Sequence, residues 1–336
     1  MGSDVPAALT AHSEKIETAL RDALGGGTEP LAVAARYALG WEDRDGRATA
    51  AGGKRIRPAL CLAAAEAFGG SVAEAMPGAV AVELVHNFSL VHDEVQDHDD
   101  ERHHRPTLWA LIGEAQAINV GDFLYTRAVL ALTRGGGTFE RRLGALDILN
   151  EAIERMIAGQ WQDIALEDRE HVTVEDYLAM VSGKTGALLA APLTMGAILA
   201  GAPAEAAHGI GRWGLEVGLA FQAQDDYLGT WGDPNSTGKS NTNDIARHKK
   251  TLPVVHGLNN PDAATVIRRA YDTSSGPTDV PAVVQALEAA GADVLCREQA
   301  RAHAAAAALE LERLPLDDGW KATFREIGGY LVERSA

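Results

Sequence analysis

The chain is poor in cysteine, in aromatic residues and in positive charge. Its 336 residues include only two cysteines, Cys61 and Cys296, too few and too far apart to predict a disulfide framework or a cysteine metal site. Aromatic residues make up 5%, and the formal net charge is −17 at pH 7. Because general nucleic-acid binding requires a basic surface, this acidity predicts no nucleic-acid partner. Anionic small molecules stay open as substrates, since basic residues can still converge locally.

Long apolar runs are scarce as well. We find no uncharged apolar run of about 18 residues and therefore expect no transmembrane segment. The N-terminal sequence MGSDVPAALTAHSEKIETAL lacks the order of a secretory signal, in which basic residues precede an apolar run. These absences predict a cytoplasmic protein.

Helical sequence is what the chain does contain. Alanine, leucine and glutamate are abundant and period-two alternation is almost absent, which predicts an all-α fold. Residues 77–94 are apolar nearly all round and begin with proline, as expected of a central helix in a large bundle. Residues 232–250 form the longest polar interruption and are predicted to be a functional loop. Further helices are predicted at 8–24, 58–68, 113–134, 141–167, 174–200, 204–230, 262–273, 281–313 and 318–334.

Two acidic clusters follow apolar helical sequence. In LVHDEVQDHDDERHHRPT, Asp93 and Asp97 are four residues apart, so on a helix their carboxylates share one face. Such oxygen ligands suit Mg²⁺, which takes one or two carboxylates plus phosphate oxygens. Taken alone, the run is more typical of a solvated helix end. A second cluster, Asp225 and Asp226 in FQAQDDYLGTWGD, favours metal binding, because facing helices of a bundle commonly hold carboxylate metal sites.

Basic residues recur at a few sharply localised points. They occur in GGKRIRP (52–58), GKTG (183–186) and RHKKT (247–251). Each one singly is typical of a surface lysine or arginine. Together, in a strongly acidic chain, they are candidates for a diphosphate-binding cluster.

A set of short segments occurs in one order along the chain. The segments are GGKRIRP, VELVHNFSLVHDEVQD, INVGDFL, GQWQDIALE, GKTGALLAAP and FQAQDDYLGTWGD, followed by TGK and KKTLP. This ordered set resembles the trans-isoprenyl diphosphate synthases, the polyprenyl synthetases, over roughly residues 30–334. The resemblance implies a single domain over 1–336 with the isoprenoid synthase fold, an all-α bundle around a central cavity, and a homodimer.

The resemblance also implies an activity, chain elongation by a prenyltransferase. Enzymes of this kind condense isopentenyl diphosphate with an allylic prenyl diphosphate, which three Mg²⁺ ions hold between two aspartate-rich helices. The metal neutralises the departing diphosphate. Apolar walls then shield the allylic cation from water.

Each implied role falls on particular residues of this chain. The metal ligands would be Asp93, Asp97 and Asp225, with Asp226 supporting. The allylic diphosphate would be bound by Arg102, Lys184 and Lys239. The catalytic set would be Lys184, Thr185 and Gln222, of which Thr185 and Gln222 direct oxygens towards the cation. Isopentenyl diphosphate would be bound by Lys54, Arg57 and His86, together with His103.

Some positions depart from the family pattern. His103 stands where the family has a second arginine, and it would bind a diphosphate better when protonated. Glu94 replaces the middle aspartate of the first motif, where we expect it to orient groups around the ligands. Gly229 stands where the commonest second motif has a third aspartate, and Asp233 is not expected to replace it as a ligand.

The resemblance bears on product length through the residues before the first motif. The fifth and fourth positions before it are Phe88 and Ser89, and no insertion interrupts the motif. An aromatic residue followed by a small one resembles the geranylgeranyl (C20) type. The alternative is that Phe88 is ordinary core and other residues close the cavity.

Two other functions are compatible with the same scaffold. A class I terpene cyclase would ionise an allylic diphosphate without isopentenyl diphosphate. The presence of Lys54, Arg57 and His86 favours elongation over cyclisation, because a cyclase has little use for a second diphosphate site. A catalytically silent partner subunit is less favoured still, since the residues that it would be expected to lose are present.

Overall fold

The computed structural model describes residues 5–49, 53–102, 105–232, 243–272 and 278–333. Within these ranges the regular secondary structure is helical, apart from one isolated bridge and a hairpin of two-residue strands, β1 (Glu101–Arg102) and β2 (Arg105–Pro106). The strands pair antiparallel, with Arg102 opposite Arg105. The predicted all-α fold is confirmed.

The chain divides into two compact units. The N-terminal unit comprises Ala7–Glu151 and Ala191–His208. Its core is apolar and rich in alanine, which lets the α4 and α5 helices pack closely. Its helices are α1 (Ala7–Thr10), α2 (Ser13–Leu24), α3 (Pro30–Ala38), α4 (Ile56–Ala67), α5 (Val72–Gln96), α6 (Leu108–Ile112), α7 (Glu114–Arg134) and the first part of α8 (Phe139–Asp168).

The C-terminal unit comprises the described residues within Ala152–Ala190 and Gly209–Ala336, with residues 5–6. One core cluster surrounds Tyr177 and Leu252, and a second surrounds Ile267 and Leu287. Besides α8, two of its helices are shared with the N-terminal unit, since α10 ends there and α11 begins there. Its helical elements are the rest of α8, α9 (Val174–Val181), a π-helical turn (Ser182–Gly186), α10 (Ala187–Ala200), α11 (Ala204–Trp231), α12 (Asn243–Ala246), α13 (Leu252–Leu258), α14 (Pro261–Tyr271), α15 (Val280–Ala289), α16 (Ala292–Arg313) and α17 (Asp318–Glu333).

The central helix of the N-terminal unit begins earlier than the sequence predicts. The prediction placed Pro77 at the start of a helix, whereas α5 begins at Val72 and contains Pro77 in its interior. The Ser71 side chain caps the helix by accepting a hydrogen bond from the Glu74 N–H. A serine followed three residues later by glutamate is a helix-start signal, and here it outweighs the proline.

The helix predicted at 281–313 is in fact two helices. Gly291 has φ +75, a left-handed conformation that glycine adopts without steric cost, and it separates α15 from α16. Short helices at Pro30–Ala38 and Leu252–Leu258 were not predicted. Both begin with proline near the N-terminus and are too short to show a clear apolar period.

One segment is long and apolar enough to span a membrane by length and composition. It is Val174–Ala200, and 72% of its most apolar window is buried inside the protein. Burial of this kind is typical of a core helix. The absence of a transmembrane segment is not tested by this observation and stays a prediction. The prediction of a single domain over 1–336 also stays a prediction. Both cysteines are buried, and burial raises the pKa of the Cys61 thiol to about 12.

Candidate active site

The first acidic motif lies at the C-terminal end of α5. Asp93 is in the last turn of the helix, and Asp97 is its C-cap, with an N–H that donates to the Asp93 carbonyl over 2.8 Å. Asp97 keeps a right-handed helical conformation, so the two residues retain the four-residue spacing on which the metal prediction rests. The chain that follows is fixed by side chains donating to the Asp99 carbonyl, Thr107 Oγ1 at 2.7 Å and Trp109 Nε1 at 2.8 Å.

Glu94 and Arg102 lie beside this motif. The Arg102 Nε is 3.9 Å from the Glu94 Oε1, and β1 carries Arg102 back towards α5. Burial raises the pKa of Glu94 to about 7, while the charge of Arg102 opposes the shift. Glu94 therefore contacts Arg102, which is predicted to bind the allylic diphosphate. The orienting role expected of Glu94 stays a prediction. His103 falls outside the described residues.

Basic groups converge around His86 in the N-terminal unit. Arg57 lies in the first turn of α4, and its Nε has no hydrogen-bond partner among the described residues. Burial lowers the pKa of His86 well below 6.5, and the charges of Arg57, Arg102 and Arg55 lower it further. Lys54, at the entry to α4, is exposed. Guanidinium charges that act on a buried imidazole in this way favour an anion at this place.

The state of His86 gives a prediction about pH. In the unfolded chain His86 binds a proton near pH 6.5, whereas in the folded protein it does not. The stability of the fold therefore decreases as the pH drops below 6.5. Between about pH 7 and 5.5, we expect the melting temperature of the wild-type protein to fall by about 1–2 °C more than that of His86→Gln. His208→Gln changes an exposed histidine and should follow the wild-type protein. Equal decreases in wild-type and His86→Gln proteins would contradict the assignment.

Phe88 and Ser89 lie one to two turns before the acidic motif. The Phe88 ring is edge-on to the His92 ring at 4.8 Å between centroids and tilted against Tyr125 at 5.9 Å. Ser89 Oγ donates to the His86 carbonyl over 2.8 Å. Phe88 is thus part of a small aromatic group between α5 and α7, and the small Ser89 follows it on α5.

Lys184 lies in the π-helical turn Ser182–Gly186 of the C-terminal unit. A Cβ on Gly159 would meet the Lys184 backbone nitrogen at 2.3 Å, and one on Gly183 would meet the Arg155 carbonyl oxygen at 2.6 Å. Glycine at both positions therefore lets the turn approach the backbone of α8 closely. The Lys184 Nζ then donates to Asp163 Oδ2 over 2.5 Å. Single π-helical turns are frequent at functional sites.

A chain of hydrogen bonds links the turn to the second acidic motif. Thr185 Oγ1 donates to Gln222 Oε1 over 3.2 Å, and Gln222 Nε2 donates to Asp226 Oδ1 over 3.0 Å. The other Asp226 oxygen accepts from Tyr177 Oη at 2.5 Å and from the Leu252 N–H at 3.0 Å. Burial raises the pKa of Asp226 to about 7, and these three hydrogen bonds oppose the shift. Both Asp226 oxygens are thus engaged inside the C-terminal unit.

Asp225 differs from its neighbour in being only half-buried. A Cβ at Gly229, one turn further on α11, would meet Asp244 Oδ2 at 3.7 Å, an ordinary contact, so no steric reason requires glycine there. Among the described residues, no three His, Cys, Asp or Glu side chains form a metal-binding group by themselves. Lys239 and Asp233 fall outside the described part of the chain.

Some residues that build the site were not predicted. Tyr177 and the Leu252 N–H bind Asp226, and Arg55 pairs with Glu83 over 2.9 Å between Nη1 and Oε1. Glu83 was detectable, because a carboxylate in the otherwise apolar segment 77–94 needs a cationic partner when buried. Tyr177 carried no such signal, since a tyrosine in helical sequence is most often core.

Comparison with known proteins defines the class of the fold. The polyprenyl synthetase of Streptomyces coelicolor A3(2) superposes with a TM-score of 0.90 at 38% identity, covering 97% of this chain and 99% of that one. The fold is therefore the all-α isoprenoid synthase fold.

Comparison of sequences defines the family. The family model for polyprenyl synthetase matches residues 46–289. Geranylgeranyl diphosphate synthase of Mycobacterium tuberculosis is 45% identical over 84% of this chain and 82% of its own length. (2E,6E)-farnesyl diphosphate synthase of the same species is 40% identical over 89% and 85%. The chain belongs to the polyprenyl synthetase family and is a prenyltransferase.

Proposed function

We propose that the protein condenses isopentenyl diphosphate with an allylic prenyl diphosphate to give a short all-trans prenyl diphosphate, most simply geranylgeranyl diphosphate (C20). The observation that carries this proposal is the position of Arg57 at the start of α4, beside the exposed Lys54, where the charge of Arg57 lowers the pKa of His86. Basic residues at this place, in addition to the Arg102 and Lys184 assigned to the allylic diphosphate, suit an enzyme that binds two diphosphates. The relatives compared are synthases, and none of them supports a cyclase.

The proposed Mg²⁺ ligands are Asp93, Asp97 and Asp225. The donor set fits Mg²⁺, because its oxygens are few enough to leave coordination positions for water and diphosphate. When bound, three Mg²⁺ ions would neutralise the charge that develops on the departing diphosphate. Asp226 is proposed only to support these ligands, because both of its oxygens already accept hydrogen bonds.

The remaining polar residues bind the substrates and stabilise charge. Arg102, Lys184 and Lys239 hold the allylic diphosphate, and Asp163 keeps the Lys184 ammonium in place over 2.5 Å. Thr185 and Gln222 direct oxygens to the allylic cation, and their mutual hydrogen bond fixes both side chains. Lys54, Arg57, His86 and His103 hold isopentenyl diphosphate so that its double bond attacks the cation.

Product length is set in this proposal by Phe88 and Ser89. Phe88→Ala removes a ring from the aromatic group on α5 and should lengthen the main product beyond C20. Ser89→Phe adds a ring beside it and should shorten the main product to C15. Chromatography of the dephosphorylated prenols measures both. The control is Tyr125→Phe, which keeps the neighbouring ring and should leave the product length unchanged. Unchanged products from both Phe88→Ala and Ser89→Phe would show that other residues close the cavity.

One incubation separates elongation from cyclisation. Purified protein and Mg²⁺ are given geranyl or farnesyl diphosphate, with and without isopentenyl diphosphate, and both diphosphates and hydrocarbons are analysed. We expect a longer prenyl diphosphate that forms only when isopentenyl diphosphate is present. A cyclic hydrocarbon formed from the allylic substrate alone would contradict the proposal.

The homodimer and the cytoplasmic location are further parts of the proposal. Within the C-terminal unit, Ile157, Trp161 and Ile164 lie at three- and four-residue spacing on α8, and Trp161 is 77% exposed. An exposed apolar stripe of this kind supports burial against a second subunit.

A further inference from the structure

Arg55 has an unusual backbone for an arginine. It precedes α4 as the N-cap with φ 48 and ψ 41, in the left-handed region. Among the described residues, only His98 and His248 are further non-glycine residues with positive φ. Because Cβ makes this conformation costly, it persists only where surrounding contacts determine it, and such residues are frequent at functional sites.

The contacts that hold Arg55 come from several helices. Its Nη1 donates to Glu83 Oε1 on α5 over 2.9 Å, and its Nε donates to Glu17 Oε2 on α2 over 3.2 Å. Its Nη2 donates to the carbonyl of Leu39, the C-cap of α3, over 3.0 Å. Arg55 is 8% exposed and Glu83 is 4% exposed, so the pair is buried. A planar guanidinium can serve these acceptors at once, whereas a lysine ammonium cannot match the same fork.

The neighbours of Arg55 are the residues assigned to isopentenyl diphosphate. Lys54 precedes it and Arg57 follows two residues later, so its left-handed turn sets the direction of both. Its partner Glu83 lies three residues before His86 on α5, and therefore on nearly the same face of that helix. The Arg55–Glu83 pair thus ties the segment carrying Lys54 and Arg57 to the helix that carries His86.

We propose that Arg55, through its buried pair with Glu83, is a positioning residue that holds Lys54 and Arg57 against His86 for the diphosphate of isopentenyl diphosphate. This inference rests on the proposed function. Arg55 itself is turned into the protein by its three hydrogen bonds and does not contact the substrate.

Two variants separate positioning from simple stability. Arg55→Lys keeps a positive charge beside Glu83 but loses the fork. The double variant Arg55→Met with Glu83→Met removes both charges of the pair, and replacements of this kind often fold as well as the original pair. Because the charge of Glu83 also acts on Arg57, the double variant is compared with Arg55→Lys, which leaves Glu83 in place. Arg36→Lys is the matched control, because Arg36 makes a similar pair with Glu42 over 2.6 Å, in the same unit.

The experiment measures kcat, KM for each substrate, melting temperature, and binding of isopentenyl diphosphate by calorimetry in EDTA, where the proposed metal ligands play no part. We expect the KM and the dissociation constant for isopentenyl diphosphate to rise about tenfold or more in both variants, with the allylic KM little changed. Arg36→Lys should match the wild-type protein.

The possible results distinguish the claims. Unchanged affinity for isopentenyl diphosphate in both variants would overturn the positioning role, as would parallel losses for both substrates that follow the melting temperature. A wild-type protein that binds isopentenyl diphosphate in EDTA but does not elongate would overturn the proposed function and leave the variants' binding as a test of positioning. Absence of binding by the wild-type protein would contradict both.

Discussion

Asp225→Asn is expected to lower kcat about a thousandfold while changing the free energy of unfolding by no more than about 0.5 kcal/mol. Asp225 is half-buried, and its charge raises the pKa of the neighbouring Asp226 carboxyl, so loss of that charge relieves a repulsion within the motif. The amide keeps the shape of the side chain but binds Mg²⁺ poorly.

Kinetics at increasing Mg²⁺ concentration, with urea unfolding in parallel, measure both parts of this prediction. The Mg²⁺ concentration for half-maximal activity should rise in Asp225→Asn. Asp262→Asn, an exposed aspartate on α14, is the control and should keep wild-type activity. Near-normal kcat in Asp225→Asn at ordinary Mg²⁺ would remove Asp225 from the ligand set.

Asp226→Ala, in contrast to Asp225→Asn, is expected to lower stability. The free energy of unfolding should fall by about 3 kcal/mol or more. Removal of the carboxylate leaves the Tyr177 hydroxyl and the Leu252 N–H buried without an acceptor, and each such group costs about 1–3 kcal/mol. Gln222 also loses its acceptor, so its hydrogen bond with Thr185 is less well fixed.

Urea unfolding of Asp226→Ala, Tyr177→Phe and the double variant measures this coupling. Tyr177→Phe should cost about 1–2 kcal/mol, and the two losses should not add, because both variants break the same hydrogen bond. If Asp226 were chiefly a metal ligand, Asp226→Ala would instead fold with wild-type stability and show a changed Mg²⁺ requirement.

The sequence does not distinguish the structural roles of Asp225 and Asp226. The pair was recognised as one acidic motif, and adjacent letters gave no way to tell which carboxylate turns inwards. The difference comes from Tyr177 and Leu252, which lie 49 and 26 residues away and meet only when α9 and α13 pack against α11.

The fold was predictable where an element has a long apolar period. The apolar runs that became α7, α8 and α11 were placed within a few residues, and the spacing of Asp93 and Asp97 survived in the structure. Gly291 was passed over, because glycine inside a helical pattern is often tolerated, and only its left-handed conformation shows that it separates two helices. The family resemblance supplied the roles of Lys54, Arg57 and His86, which periodicity could not give.

Arg55 illustrates the same limit at the second diphosphate site. GGKRIRP offers three basic residues that look alike as letters. The structure separates them by burial: Lys54 is exposed, whereas Arg55 is turned inwards onto Glu83, Glu17 and the Leu39 carbonyl. A buried glutamate on α5 accepts a hydrogen bond from Arg55, and that pairing depends on tertiary packing.

Counting the isopentenyl units in the product tests elongation most directly. The purified protein is given ¹³C-labelled isopentenyl diphosphate and Mg²⁺, with unlabelled farnesyl, geranyl or dimethylallyl diphosphate in separate reactions, and the prenyl diphosphates are analysed by mass spectrometry. The account predicts a common C20 product that carries one labelled unit from farnesyl diphosphate and one more for each shorter primer. An unlabelled product, or a hydrocarbon that forms equally well without isopentenyl diphosphate, would contradict it.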